Sequence, residues 1–379
     1  MATQSIDHTL AAAVERGDVP GVVALAATRD GIISAHAAGY RALGSSAEMT
    51  LDTVFNIASM TKAITAVAAL QLVEQGRWSL HEPLPSEALH QLQVLDGFDP
   101  NGTPQFRPPK RPITLRHLLT HTSGLGYALW CADLHQYEKT QTQKVDLYDW
   151  PLVFDPGDRW LYGTSIDWLG RLIEELTSTS LENHFRENIL DPLAMADTSY
   201  NLPPAQRHRL ATLHQRDPEG VLHAVDTNPP EKPARYVGGG GMFSTGPDYI
   251  KFLRMLLNRG ELDGVRLLAK ESVEELERNH IDDLDVDPMP SNVADKSNRV
   301  DFYPGMPKKW SLGGLLNTQA SPGGRAAQSW AWGGMFNTYF WLDPTNGVAG
   351  LIMTQILPFC DRPALELFEA FEKSVYSSL

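Results

Sequence analysis

Ser59-Met60-Thr61-Lys62 sets a hydroxyl and an amine at the head of an apolar, strongly helical run, Ser59 to Gln75. On a helix, positions i and i+3 share one face, so the Lys62 amine can reach the Ser59 hydroxyl. A serine hydroxyl is a weak nucleophile at neutral pH and needs an adjacent base. A lysine whose charge is suppressed by burial or by a like-charged neighbour can be that base. The helix N-terminus favours the negative charge that develops there. The chemistry this spacing suggests is acyl transfer through serine, with lysine where better-known hydrolases use histidine. Taken alone, the tetrapeptide fits a helix cap followed by a solvated lysine equally well.

Other chemistries find weaker support. No G-x-S-x-G occurs, so the nucleophile elbow of α/β-hydrolases is absent. Gly238 to Gly241 is not followed by Gly-Lys-Ser/Thr, so it reads as a flexible loop lining a cleft rather than a phosphate cradle. Asp283, Asp285 and Asp287 alternate as in a calcium loop, but Pro288 stands where such a loop needs glycine. A solvated acidic loop is the better reading. His117 and His121 have the spacing of a zinc pair, yet no Glu lies between them and no third ligand is evident. Cys131 and Cys360 form neither a metal spacing nor a disulfide framework, and Cys360 reads as a buried thiol. No metal or cofactor is expected.

The elements that must position these residues follow from hydrophobic patterning. Ile6 to Arg16 reads as a short amphipathic helix. Val22 to Thr28 and Ile32 to Ala38 read as strands joined through Arg29-Asp30-Gly31, a hairpin signal. The Ser59 helix is apolar on nearly all sides, hence buried, and ends at Gly76. Leu80 to Pro112 is irregular and proline-rich. Helices follow at Thr114 to Thr120, Asp167 to Ser178, Leu181 to Ile189 and Tyr249 to Asn258. Thr338 to Leu342 and Val348 to Gln355 are strand-like, and residues 363–377 form a closing helix. Strands at both ends with helices between predict an α+β fold, one antiparallel sheet built from both termini. The domain reading is 1–80 plus 240–379 for the sheet domain and 81–239 for a mostly helical insertion.

The chain has 379 residues, 42% hydrophobic and 21% charged, as in ordinary globular proteins. A net charge of −14 argues against nucleic acid and anionic membrane surfaces as partners. The first residues lack a basic stretch followed by an apolar one, and no run reaches the length of a membrane span. The expected location is therefore the cytoplasm. Oligomeric state is not legible.

Five stretches, taken in order, carry a family resemblance. They are Phe55-Asn56-Ile57-Ala58-Ser59-Met60-Thr61-Lys62; Ile113 to Leu125, containing His117-Leu118-Leu119-Thr120-His121-Thr122-Ser123-Gly124; Pro156-Gly157-Asp158-Arg159-Trp160-Leu161-Tyr162-Gly163; Gly239-Gly240-Gly241-Met242-Phe243-Ser244-Thr245; and Trp332-Gly333-Gly334-Met335. Together they resemble the serine β-lactamase and penicillin-recognising hydrolase family. The resemblance is strongest to its class C-related esterase branch, the family VIII carboxylesterases, which also includes acyltransferases and nylon-oligomer hydrolases. It implies a β-lactamase-like fold and a Tyr-x-Asn triplet, here Tyr162-Gly163-Thr164, with Tyr162 as phenolic partner of Ser59 and Lys62. Thr164 in place of asparagine puts an amide contact to substrate in doubt. His121 is implied to lie on a loop near the cleft. The resemblance further implies an oxyanion hole made by the backbone N–H groups of Ser59 and Met335.

At the family's Lys-Thr-Gly strand this chain reads Trp332-Gly333-Gly334. A cation there would pair with the carboxylate of a penicillin or a peptide end. Trp332 offers an apolar wall and an N–H instead, and the two glycines admit substrate closely. The implied function is a serine carboxylesterase acting on small neutral acyl esters through an acyl-enzyme on Ser59, with Lys62 and Tyr162 sharing the base role. Competing readings are a β-lactamase or D-alanyl peptidase, an acyltransferase, and a catalytically silent binding protein. The last would be expected to lose Ser59, Lys62 or Tyr162, and all three are present.

Overall fold

The computed structural model describes residues 5–379. Its centre is a seven-stranded antiparallel sheet. Strands β1 (Gly21–Thr28) and β2 (Ile32–Gly39) form the expected hairpin near the N-terminus. The C-terminal part supplies β3 (Lys308–Trp310), β4 (Leu315–Asn317), β5 (Trp330–Gly334), β6 (Thr338–Asp343) and β7 (Val348–Met353). The strand order is β3-β4-β5-β6-β7-β1-β2. The two ends of the chain meet where β1 pairs with β7, in the register Leu25 opposite Leu351. The expectation of one antiparallel sheet drawn from both termini holds.

Six helices bear on the site: α1 (Ile6–Glu15), α2 (Thr61–Glu74), α3 (Leu115–Leu119), α4 (Ser165–Thr177), α5 (Gly246–Leu257) and α6 (Arg362–Ser377). Side chains alternate across a strand, so neighbours on β6 serve opposite faces. Trp341 packs on Phe368 and Phe371 of α6. Phe340 meets Tyr249 of α5. With both faces covered, the inner strands are buried at nearly every position, which explains why they read as continuous apolar runs. Helix α5 comes close enough to β1 that a Cβ on Gly246 would stand 2.5 Å from a Leu25 methyl.

Helix α2 is buried along nearly its whole length, as its all-round apolar pattern requires. It ends in Gln75 and Gly76, the latter at φ +69. Two local expectations need correction. The stretch Leu80 to Pro112 contains a hairpin, Val94–Phe98 with Pro104–Arg107. Its turn is built on Asp99, whose carboxylate accepts the N–H groups of Asn101 and Thr103, each at 2.8 Å; the Asn101-Gly102 turn signal was masked by the surrounding prolines. The segment after Leu181 is not one regular helix, because the turns Arg186–Leu190 widen to π geometry. No helix among the described residues is long and apolar enough to cross a membrane.

Candidate active site

Ser59 does not open α2 directly. It sits in a 3-10 turn, Ala58–Met60, that feeds the helix. Ala58 has φ +42, a conformation that residues with a Cβ rarely adopt and that a structure must hold in place. The hold is visible. The Ala58 N–H donates to Asn56 Oδ1 at 3.0 Å. The Gln355 side chain bridges the Asn56 N–H and C=O at 3.2 and 3.0 Å. The Tyr249 hydroxyl donates to the Met60 carbonyl at 2.9 Å. The turn is pinned by α5 and by the segment after β7, and it leaves the Ser59 side chain half-buried.

Lys62 is 5% exposed, and its Nζ lies 3.0 Å from Ser59 Oγ. The same Nζ donates to the Gly239 carbonyl at 2.6 Å. It lies 4.9 Å from the Tyr162 ring centre and 5.7 Å from that of Tyr127. In the connection Gly238 to Gly241 the first two glycines are tightly packed, while Gly240 is half-buried and Gly241 is exposed. A Cβ on Gly238 would meet the Ile166 carbonyl at 2.2 Å, and one on Gly239 would meet Asp167 Oδ1 at 2.4 Å. The Thr65 hydroxyl donates to the Gly238 carbonyl at 2.7 Å. Glycine is required here for close backbone approach, and the result is a fixed acceptor for the lysine.

Tyr162 is buried, and its hydroxyl oxygen accepts the Trp332 indole N–H at 3.0 Å. Lys62 Nζ therefore faces the ring of Tyr162, while the hydroxyl is engaged by the strand. The triplet Tyr162-Gly163-Thr164 runs into the first turn of α4. A Cβ on Gly163 would lie 2.3 Å from Gly126 Cα, so this backbone must be glycine to fit. Thr164, the residue departing from the family triplet, is buried, and its hydroxyl has no partner among the described residues.

His121 lies beneath Tyr162, with ring centres 4.7 Å apart, and is 1% exposed. It backs the tyrosine and does not line an open cleft. Its Nδ1 accepts the Gly163 N–H at 3.3 Å, which assigns the hydrogen to Nε2. Burial first, and then the Lys62 charge, holds the imidazole pKa well below its usual 6.5. His121 is thus a neutral ring at pH 7.

Strand β5 supplies the remaining wall. Its ladder with β4 involves only Trp330 and Ala331, so Trp332 to Gly334 carry no strand on that side. Trp332 is wedged between Tyr162 and Trp310, at ring distances of 4.8 and 4.7 Å. A Cβ on Gly333 would strike the Tyr339 ring at 2.6 Å, and one on Gly334 the Ile57 carbonyl at 2.4 Å. The contact of Gly334 with Ile57 brings the next residue, Met335, beside the Ser59 turn. Among the described residues neither the Ser59 nor the Met335 N–H donates to another element.

The structure thus brings Ser59, Lys62, Tyr162, Trp332, Gly333 and Gly334 into one place, with Thr164 and His121 buried behind. It adds residues that sequence reading passed over. Asp167 accepts the Gly239 N–H at 2.9 Å and the Tyr127 hydroxyl at 2.8 Å. An acid in the first turn of an amphipathic helix is common for dipole reasons alone, so nothing in the sequence marked Asp167 out. Among the described residues no cluster of His, Cys, Asp or Glu has the makings of a metal site.

A family model described as Beta-lactamase matches residues 6–369. The chain is 33% identical to the lovastatin esterase of Penicillium rubens, over 98% of both chains. It is 32% identical to the ML-236A carboxylate methylbutanoyltransferase of Penicillium citrinum, covering 97% of this chain and 92% of that one. The solved structure of unliganded simvastatin synthase from Aspergillus terreus matches with a TM-score of 0.85 at 29% identity, covering 98% of this chain and 97% of that one. Relatives of this chain thus include both ester-cleaving and acyl-transferring enzymes.

Proposed function

Because this chain belongs to the beta-lactamase family, we propose that it is a serine esterase that cleaves neutral acyl esters through an acyl-enzyme on Ser59. The observation that carries this reading is the 3.0 Å contact between Ser59 Oγ and a buried Lys62 whose other side is tied to Gly239. A nucleophile within hydrogen-bond reach of a base, with the base itself held by a third group, is the arrangement that acyl transfer needs. Ser59 Oγ attacks the ester carbonyl as its proton passes to the Lys62–Tyr162 pair. The N–H groups of Ser59 and Met335 take the oxyanion; donors so placed stabilise the transition state by roughly 3–4 kcal/mol each. The proton then goes to the departing alcohol, and the C–O bond of the ester breaks. Water, activated by the same pair, hydrolyses the acyl-enzyme. Trp332, apolar and uncharged where relatives of the β-lactamase type carry a cation, supports neutral esters over carboxylate-bearing penicillins.

A second reading is favoured by the likeness to the methylbutanoyltransferase and to simvastatin synthase. In it an alcohol, not water, receives the acyl group from the same Ser59 ester. Intact mass after a fluorophosphonate probe, with the labelled residue mapped, tests the nucleophile. Label on any residue other than Ser59, or unchanged turnover in Ser59→Ala, would sink both readings. Turnover of a short-chain nitrophenyl ester, measured with and without an added alcohol, separates hydrolysis from transfer. Cephalosporin turnover far above ester turnover would replace both with a β-lactamase.

A further inference from the structure

Lys62 Nζ is surrounded on the sides away from Ser59 by the Gly239 carbonyl and by the rings of Tyr127 and Tyr162. Two of these walls share one anchor. Asp167, 4% exposed, accepts the Gly239 N–H on Oδ1 and the Tyr127 hydroxyl on Oδ2. The peptide whose N–H is gripped by Asp167 belongs to the same residue whose carbonyl receives Lys62. The fit is tight, since a side chain on Gly239 would collide with the Asp167 carboxyl.

We propose that Asp167 is a positioning residue for the acyl-transfer centre, its carboxylate holding both the Gly239 backbone and the Tyr127 ring against Lys62. This inference rests on the acyl-enzyme reading of Ser59. Donors converge on both carboxyl oxygens, which suits the ionised form, and the buried negative charge has Lys62 as its nearest cationic counterpart. Burial pushes the Asp167 carboxyl above its ordinary range, and the Lys62 charge works against that push. Burial, followed by the charge of Asp167, pushes the Tyr127 phenol well above 10, so Tyr127 stays a donor. The titratable groups facing Asp167 are Lys62 on α2, Tyr127 after α3, Tyr148 before α4 and Tyr200 after α4. Those facing Lys62 are Asp167, Tyr127, Tyr162 and His121.

The role makes two demands that a purely architectural role does not. Asp167→Asn keeps the shape and can still accept from Gly239 and donate to the Tyr127 oxygen, so it deletes charge with little change in geometry. Removing the carboxylate removes a charge that favours a protonated amine beside it, so the acid limb of the kcat/KM profile should lie at lower pH than in the wild type. Tyr127→Phe keeps the ring and removes its tether, and should lower kcat roughly three- to tenfold with KM nearly constant. Both variants are compared with the wild type on a short-chain nitrophenyl ester, with thermal midpoints and fluorophosphonate labelling rates recorded alongside. A normal wild type with an unshifted Asp167→Asn profile overturns this inference alone. A wild type without ester turnover or Ser59 labelling overturns the parent reading and takes this one with it.

Discussion

The indole N–H of Trp332 is bonded to the hydroxyl oxygen of Tyr162 at 3.0 Å, across 170 residues of sequence. One residue therefore does two things. Its ring fills the space between Tyr162 and Trp310, and its N–H holds the phenol whose ring faces Lys62. A hydroxyl that accepts the indole N–H has its own hydrogen and remaining lone pair directed elsewhere.

Replacing Trp332 by Phe keeps the wall and removes the donor. Loss of one such hydrogen bond, at roughly 1–1.5 kcal/mol, should lower kcat about tenfold with a much smaller change in KM. Steady-state kinetics on a short-chain ester read this directly. An unchanged kcat would mean that Tyr162 is oriented by its ring neighbours alone.

Gly334→Ala puts a methyl 2.4 Å from the Ile57 carbonyl and 2.3 Å from Thr338 Oγ1. The Ile57 carbonyl cannot retreat cheaply, because it is backbone leading into the Ser59 turn. Overpacking of this kind costs about 1–3 kcal/mol. Chemical denaturation should show that loss. Ester turnover should fall by more than the loss of folded protein explains, because Met335 is displaced from Ser59.

Acid should destabilise the fold from just below neutral pH. Burial is the main cause that lowers the pKa values of His117 and His280 to about 4, helped by neighbouring arginines. Unfolded, each titrates near 6.5. Between these values the unfolded chain binds protons that the folded chain refuses, so stability is complete above about pH 6.5 and falls as pH drops towards 4. His121, whose pKa burial likewise lowers, adds to the same slope. Urea midpoints measured from pH 7.5 to 4.5 should fall throughout that window, and His117→Asn should flatten the decline.

The ion pair Arg325–Glu372 ties the segment before β5 to α6, with the two side chains 3% and 1% exposed and 2.5 Å apart. The Ser321 hydroxyl donates to the other Glu372 oxygen at 2.7 Å. Glu372→Ala leaves a buried guanidinium without its anion and should cost about 3–5 kcal/mol. A thermal or urea midpoint close to that of the wild type would contradict this.

Sequence pattern reached four of the seven strands, the buried α2 and the Ser59–Lys62 pair because each obeys a local rule: alternation, helical spacing or a turn dipeptide; the short strands β3 and β4 are too brief to leave one. Trp332 and Tyr162 were legible only through the family resemblance that their flanking motifs carry. Asp167, Tyr127 and the Gly239 carbonyl were not. Their importance lies in which atoms meet after folding, and a backbone carbonyl leaves no trace in residue type. Gly238 to Gly241 shows the limit well. Four glycines read as freedom, yet the chain uses the first two, Gly238 and Gly239, for close backbone approach. His121 likewise looked like a residue near the cleft. It lies there, but buried under Tyr162 and bonded to the Gly163 N–H, with its backbone at φ +57.

The pairing of β1 with β7 has a further consequence for synthesis. Ser59 and Lys62 leave the ribosome early, but β5 with Trp332, and Met335 just beyond it, leave near the end. Until β5 and then β7 follow, the Ser59 turn lacks the Gly334 backbone that packs on Ile57, and the first hairpin lacks its inner neighbour. On the acyl-enzyme reading, a half-made or truncated molecule is chemically mute. Covalent labelling of Ser59 then counts finished chains, and a defect in the last strands silences a serine and lysine set near the beginning.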